Sequence, residues 1–489
     1  MTPENPLLLG AAAPEILIGA AACVILIVDL LLPDSRRGVS YWLTQLALLA
    51  AALLTWMSPD ETPVKALSGM FVTDKLADAL KIFSYLSAAL TLFYSRDYLS
   101  VRGLFRGEIF VLTLTSVLGM MVMISANSFV SLFLGLELMS LSLYAMIALQ
   151  RDSGRAVEAA MKYFVLGAIA SGLLLYGMSM LYGATGTLEI SGVADAIVSG
   201  KGNGVILVFG LVFVVSAIAF KIGAVPYHMW IPDVYDGAPT AVTLFVGSAP
   251  KLAAFAFAMR LLVGSLPALA VDWQGMLIVL CVLSMVLGNV VAIAQTNIKR
   301  MLAYSTIANM GFMLLGFLSV TGDGSRTTLD GYSAAMFYTV TYVLTTLVSF
   351  GIVMLISREG FEADRLDDFR GLNQRSPWYA FMMLIAMFSL AGVPPTVGFY
   401  AKFSVIAAAV DVGLVWLAIL AVLASIVGAF YYLRIVKIMY FDDPVDTAPI
   451  DARGDTRVLL SANGLALLLL GVFPQSLMGW CVLALRHSY

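Results

Sequence analysis

Charge is scarce in these 489 residues: only 12% are Asp, Glu, Lys or Arg, against about 25% in ordinary soluble domains, while 61% are hydrophobic. A chain so composed is an integral membrane protein with no room for a large extramembrane domain. Cysteine and histidine are scarcer still. Cys23, Cys281 and Cys481 lie in separate apolar segments, and without CxxC or Cys/His spacing neither an iron–sulfur cluster nor a zinc site is supported. Two histidines, His228 and His487, are too few for the bis-histidine ligation of membrane b-type haems. No GxGxxG or GxxxxGKS/T pattern is present, so no nucleotide site is expected. The formal net charge of −3 and the scattered basic residues offer no patch that follows a phosphate backbone, which excludes nucleic-acid binding. The chain is expected to carry no redox or nucleotide cofactor of its own.

Long apolar runs are what the sequence has in abundance. Runs of at least about 17 residues fall near 14–33, 41–57, 77–95, 108–126, 128–149, 160–182, 204–231, 240–263, 275–295, 300–319, 333–356, 378–409, 414–440 and 457–480. The reading is an all-α polytopic membrane protein of about fourteen transmembrane helices. The first run stays as a transmembrane helix, because residues 1–13 contain no Lys or Arg and a secretory signal would carry them there. With fourteen spans, fifteen loop Lys and Arg residues fall on one side and five on the other, namely Lys65, Lys75, Lys201, Arg326 and Arg486. That bias places both termini on the non-cytoplasmic face.

Inside the spans stand Glu137 in the fifth, Lys162 in the sixth, Lys221 in the seventh, Lys251 in the eighth and Lys402 in the twelfth. Each costs about 3 kcal/mol near the bilayer centre on insertion scales, so each should face protein or a wetted cavity. Lys81, Arg260, Arg434 and Lys437 lie near helix ends, where a long side chain can snorkel. Glu137 is too deep to reach water, and it serves either a protonatable function or one half of a helix-orienting salt bridge. Lys162 can pair with Glu158 one turn earlier. Loss of water favours the neutral form of a lysine, and a carboxylate beside it restores the charge; a Lys–Glu pair is therefore a natural proton switch, and a row of such groups a relay. Two spans are broken by glycine and proline, at Phe220–Pro226 and Leu390–Pro395, and each break has a lysine nearby. Pro226 and Pro394 lie 168 residues apart, which divides the chain into an N-terminal three-helix segment (1–107), two inverted five-helix repeats (spans 4–8, 108–263; spans 9–13, 275–440) with broken helices 7 and 12, and a C-terminal helix (457–489). Such paired discontinuities point to an ion path; simple proline kinks are the alternative. His228, Tyr227, Tyr235 and Thr240 are polar groups able to bridge Lys221 to Lys251, although a lone histidine can equally be a packing residue.

The segments GLELMSLSLY (135–144), AFKIGAVPYHMWIPDVYDGAPTAVT (219–243), APKLAAFAF (249–257), NIKRMLAYSTIANMGF (297–312), DDFRGL (367–372) and LAGVPPTVGFYAKF (390–403) resemble the antiporter-like membrane subunits of respiratory complex I, the proton-translocating NADH:quinone oxidoreductase. Lysines in both the eighth and twelfth helices, and an end after fourteen helices, resemble the subunit N family more than the sister families M and L. The resemblance implies that Glu137 pairs with Lys221 and that Lys251 and Lys402 continue a lateral proton path, with Lys162 and His228 as further candidates. It implies FMN, iron–sulfur clusters and quinone in partner subunits and none in this chain. The implied partners are the sister antiporter-like subunits, small membrane subunits and the quinone module, in a bacterial inner membrane with periplasmic termini. Asn309 departs from relatives with histidine in the tenth helix, so the path there is expected to use water or a tyrosine such as Tyr304. A subunit of a multisubunit cation/proton antiporter or membrane-bound hydrogenase is the nearest rival, followed by a stand-alone secondary transporter and a structural membrane subunit.

Overall fold

A computed structural model describes residues 9–58, 62–318, 329–446, 448, 450 and 452–489; Arg326 of the basic-residue count lies outside them. The helices are α1 (Ala13–Leu31), α2 (Gly38–Trp56), α3 (Lys75–Val101), α4 (Gly107–Ile124), α5 (Phe129–Ile147), α6 (Gly154–Thr185), α7 (Ile190–Val198) and α8 (Gly204–Ile222). They continue with α9 (Trp230–Gly237), α10 (Thr240–Gly247), α11 (Ala249–Ala258), α12 (Ala270–Ile293), α13 (Ile298–Leu315) and α14 (Leu329–Ile356). The last are α15 (Leu372–Arg375), α16 (Pro377–Ala391), α17 (Val397–Asp411), α18 (Val415–Phe441), α19 (Gly454–Val472) and α20 (Gln475–Arg486).

Twelve helices among the described residues are long and apolar enough to cross a membrane. The two expected spans outside that set have clear causes. Helix α13 carries Lys299 and Arg300 in its first turn, and the twelfth span is split into α16 and α17. Polar caps fix where spans begin: Asp74, Ser153, Asn203 and Asn297 each accept a backbone N–H at the start of α3, α6, α8 and α13. Helix α14 and the α10–α11 pair form the buried centre, whereas α1, α2 and α19 leave most of their surface outward.

Small residues let the helices approach. A Cβ on Gly119 of α4 would meet the Met139 nitrogen of α5 at 2.4 Å, and one on Gly288 of α12 would meet the Ala308 nitrogen of α13 at 2.6 Å. Gly119 and Gly288 lie 169 residues apart. The same interval separates Ile124 from Ile293, Phe129 from Ile298, and Ile222 from Ala391, all helix ends. The interval is thus 169 rather than the 168 taken from Pro226 and Pro394, and it matches Pro226 with Pro395.

Several elements were not legible as apolar runs. An antiparallel hairpin joins β1 (Val64–Ala66) to β2 (Phe71–Thr73), and α7 is a short helix between α6 and α8. The eighth span is itself interrupted at Ser248, between α10 and α11, and ends in a π-helical turn, Met259–Ser265. The fourteenth run, 457–480, divides into α19 and α20 around Pro474.

Candidate functional site

Helix α8 stops at Ile222 because Gly223 takes a left-handed conformation (φ 86°), and the amides of both Gly223 and Ala224 turn back to the Ala219 carbonyl. Lys221 sits in this last turn, 7% exposed. Its Nζ donates to Ser140 Oγ on α5 at 2.7 Å. Glu137, one turn before Ser140, accepts from Ser171 Oγ on α6. The implied Glu137–Lys221 pair is therefore not a direct contact among the described residues: two serines stand around it, Ser140 bonded to Lys221 and Ser171 to Glu137.

Lys251 on α11 reaches the same break from the other side. Its Nζ donates to the Ile222 carbonyl at 2.9 Å, the last carbonyl of α8, and lies 5.4 Å from the centre of the Trp230 ring. An ammonium at a helix C-terminus meets both an orphan carbonyl and the negative end of the dipole. The second break repeats this arrangement. Helix α16 ends at Gly392 (φ 84°), the Gly392 and Val393 amides turn back to the Phe388 carbonyl, and Lys402 Nζ of α17 donates to the Ala391 carbonyl at 3.0 Å. Lys402 also lies 4.7 Å from the centre of the Phe312 ring. Both breaks thus end in a carbonyl capped by a buried lysine, each less than a tenth exposed.

Lys162 is placed elsewhere. Its side chain is 45% exposed and pairs with Glu158 at 2.8 Å and Asp233 at 2.9 Å. Arg155, Asp236 and Arg300 complete a charged cleft there, so α9 is tied to both α6 and α13. The hydrogen bonds from Lys162 and Arg300 outweigh burial, which opposes ionisation, and hold the Asp233 carboxyl below its ordinary value.

The expected bridge between Lys221 and Lys251 has a different make-up. The Tyr227 hydroxyl bonds Ser216 at 2.8 Å, and Thr240 Oγ1 donates to Glu362 at 2.5 Å. His228 interacts with the Pro226 backbone and the Tyr235 hydroxyl with Thr306, and among the described residues neither is hydrogen-bonded to Lys221 or Lys251. What joins the two lysines is the end of α8 itself. Snorkelling also fails for two basic residues. Lys81 pairs with Glu15 at 2.6 Å with both side chains buried, and Arg260 pairs with Asp74 at 2.7 Å, likewise buried; each found a carboxylate on another element, which sequence spacing does not reveal.

Around Asn309 the tyrosines are Tyr338 and Tyr432, not Tyr304. The Tyr338 hydroxyl donates to Asn309 Oδ1 at 2.7 Å, Asn309 Nδ2 reaches the Tyr432 oxygen at 3.2 Å, and the Tyr432 and Ser305 hydroxyls are hydrogen-bonded to each other at 2.5 Å. These groups are buried, and nothing in the local sequence marks them beyond hydroxyls within apolar spans. Among the described residues no three of His, Cys, Asp or Glu converge as a metal site. The two breaks thus gather buried protonatable groups, Lys221, Lys251 and Lys402, with hydroxyls and one carboxylate nearby.

Residues 126–428 match the family described as NADH:quinone oxidoreductase/Mrp antiporter, TM. NADH-quinone oxidoreductase subunit N of Thiobacillus denitrificans is 60% identical over 98% of both chains, and that of Nitrosomonas europaea is 57% identical over the same shares. A chain of the structure described as respiratory complex I from Thermus thermophilus with bound Aureothin is similar with a TM-score of 0.79 and 32% identity, over 95% of this chain and 98% of that one.

Proposed function

This chain belongs to the NADH-quinone oxidoreductase subunit N family, and we propose that it carries protons across the membrane through Glu137, Lys221, Lys251 and Lys402. It is an antiporter-like membrane-arm subunit of a proton-translocating NADH:quinone oxidoreductase, a multi-pass protein of the bacterial inner membrane, and the redox cofactors belong to other subunits. FMN, iron–sulfur clusters and quinone sit in those partners, among them sister antiporter-like subunits, small membrane subunits and the quinone module. The basic-residue bias supports periplasmic termini, and the 169-residue interval supports the division into a three-helix segment, two inverted five-span units and a closing helix.

One observation carries the relay: both half-helices end inside the protein on a carbonyl held by a lysine, Lys251 at Ile222 and Lys402 at Ala391. A lysine is a donor only, with three N–H groups when charged, so loss of its proton weakens the cap and gain restores it. Glu137 lies one turn of α5 from Ser140, the acceptor of Lys221 Nζ, which makes a signal at Glu137 readable at the first break. Lys162, in the charged cleft beside α9, and His228, in the turn after the first break, are the further candidates of this reading. Lys221→Ala in the assembled, reconstituted complex is expected to abolish or severely reduce quinone-coupled proton pumping. Normal pumping per NADH in that variant sinks the relay.

A further inference from the structure

The cleft between the end of α2, the start of α3 and α20 takes no part in the relay. It is a cavity of about 410 Å³ whose lining includes Trp56, Lys75, Asp78, Trp480, Leu483 and His487. Helix α2 ends at Trp56 and α3 begins at Lys75. Both helices are long and apolar enough to cross a membrane, so the cleft lies at the level where hydrocarbon gives way to headgroups. The Ser488 hydroxyl accepts the Leu76 amide at 3.0 Å, which draws the end of α20 to the start of α3.

One end of the cleft is apolar and the other is charged. Trp56 and Trp480 stand with ring centres 6.2 Å apart, and Phe83 lies 5.4 Å from Trp480. Leu483 and Ile82 continue this wall, and both Trp56 and Leu483 are exposed. A tryptophan at this depth suits an acyl chain on one side and a wet headgroup on the other. Lys75 and Asp78 mark the polar end. Their charged atoms are 3.8 Å apart, beyond hydrogen-bond length, so the Lys75 ammonium keeps donors for a further acceptor. The exposed His487 adds an imidazole N–H. Asp78 and Thr55 also line a second cavity, of about 450 Å³, beside Thr73 and Lys81. The polar end is therefore open on two sides, with room for a headgroup.

We propose that this cleft binds a zwitterionic phospholipid, phosphatidylethanolamine. Its acyl chains lie against Trp56, Trp480 and Leu483, its phosphate accepts from Lys75 and His487, and its ammonium donates to Asp78. The carboxylate selects the headgroup. Phosphatidylglycerol brings a phosphate to Lys75 but no cation to Asp78, and the cation of phosphatidylcholine has no N–H with which to form a charge-assisted hydrogen bond. The bound lipid bridges α2 and α3 to α20, and its recognition does not depend on the proposed proton relay.

The test uses the whole complex in detergent, stripped of lipid and mixed with phosphatidylcholine vesicles. The vesicles contain a trace of phosphatidylethanolamine, phosphatidylglycerol or phosphatidylcholine with a photoactivatable acyl chain, and labelled peptides are located by mass spectrometry. Phosphatidylethanolamine is expected to label the peptides around Trp56 and Trp480 about tenfold more than the other two, and Lys75→Gln with His487→Gln to lower that labelling about tenfold, the effect of one charge-assisted hydrogen bond. Asp78→Asn is expected to abolish the preference over phosphatidylcholine. NADH oxidation at the wild-type rate shows that each variant is assembled, and the comparison among lipids on the wild-type complex stands without any variant. Equal labelling by all three lipids overturns the proposal, because the cleft then holds bulk acyl chains without reading a headgroup. A preference for phosphatidylglycerol overturns it in favour of an anionic lipid. Absence of label at these peptides overturns it as well, with a neighbouring subunit covering the cleft.

Discussion

Lys221 shows how a single charged residue depends on neighbours that attract no notice. Its Nζ donates to Ser140 at 2.7 Å, and Ser140 in turn donates to the Leu136 carbonyl at 2.6 Å, which leaves its lone pairs turned to the lysine. A hydrogen bond to a charged group contributes about 1.5–3 kcal/mol, so Ser140→Ala should weaken the charged form of Lys221 by that order. Proton pumping per NADH is expected to fall in Ser140→Ala and to recover in Ser140→Thr; equal, wild-type pumping in both removes Ser140 from the path. The lysines and Glu137 were legible in the sequence because a charge in an apolar run is expensive and rare. Ser140 and Ser171 were not, because a serine costs little in a helix and its partner is decided by packing between α5, α6 and α8. Asn309 was noticed as a departure, but Tyr304 was named beside it on grounds of proximity in sequence, whereas the partners Tyr338 and Tyr432 come from α14 and α18.

At the scale of elements, two glycines decide where half-helices end. Gly223 and Gly392 both have left-handed backbone, which costs other residues about 1–2 kcal/mol. An added carbon at Gly392 would also stand 2.8 Å from Lys402 Cδ and push that side chain aside. Gly413 has the same backbone sign with nothing within 4 Å, and it separates strain from displacement. Gly392→Ala and Gly413→Ala should lower the thermal stability of the purified complex to a similar degree, while only Gly392→Ala should impair pumping. Impaired pumping in Gly413→Ala to the same extent assigns the effect to strain alone. Breaks seven and twelve were readable because Gly and Pro interrupt helices by known mechanisms. The third interruption, at Ser248, lies in mid-span beside Pro250, and a proline inside an apolar run kinks a continuous helix as readily as it ends one. The β1–β2 hairpin and α7 are short elements in loops, and neither has an apolar run to announce it.

For the whole molecule the question is how the three-helix segment is held together and fixed to the first repeat. Two buried ion pairs contribute, one within the segment and one across its boundary. Glu15 of α1 and Lys81 of α3 meet at 2.6 Å with side chains 7% and 2% exposed, and Asp74, the cap of α3, meets Arg260 beyond α11 at 2.7 Å. Asp74 also accepts the Ala77 amide, so one carboxylate starts α3 and anchors it to the end of the first repeat. Lys81 and Arg260 look like snorkelling residues in the sequence, because distance from a helix end is visible there and a partner 66 or 186 residues away is not. The distinction has a measurable consequence. A snorkelling lysine is replaced by methionine at little cost, whereas removal of one member of a buried pair leaves a lone buried charge and costs about 3–5 kcal/mol. Lys81→Met should therefore destabilise the detergent-solubilised complex strongly, and Glu15→Gln in the same chain should recover most of the loss, since the double variant leaves no charge unpaired. A double variant as unstable as Lys81→Met alone means that the pair does not hold α1 to α3 and that the Lys81 ammonium, whose Nζ lies 5.0 Å from the centre of the Phe71 ring, holds α3 through that ring instead.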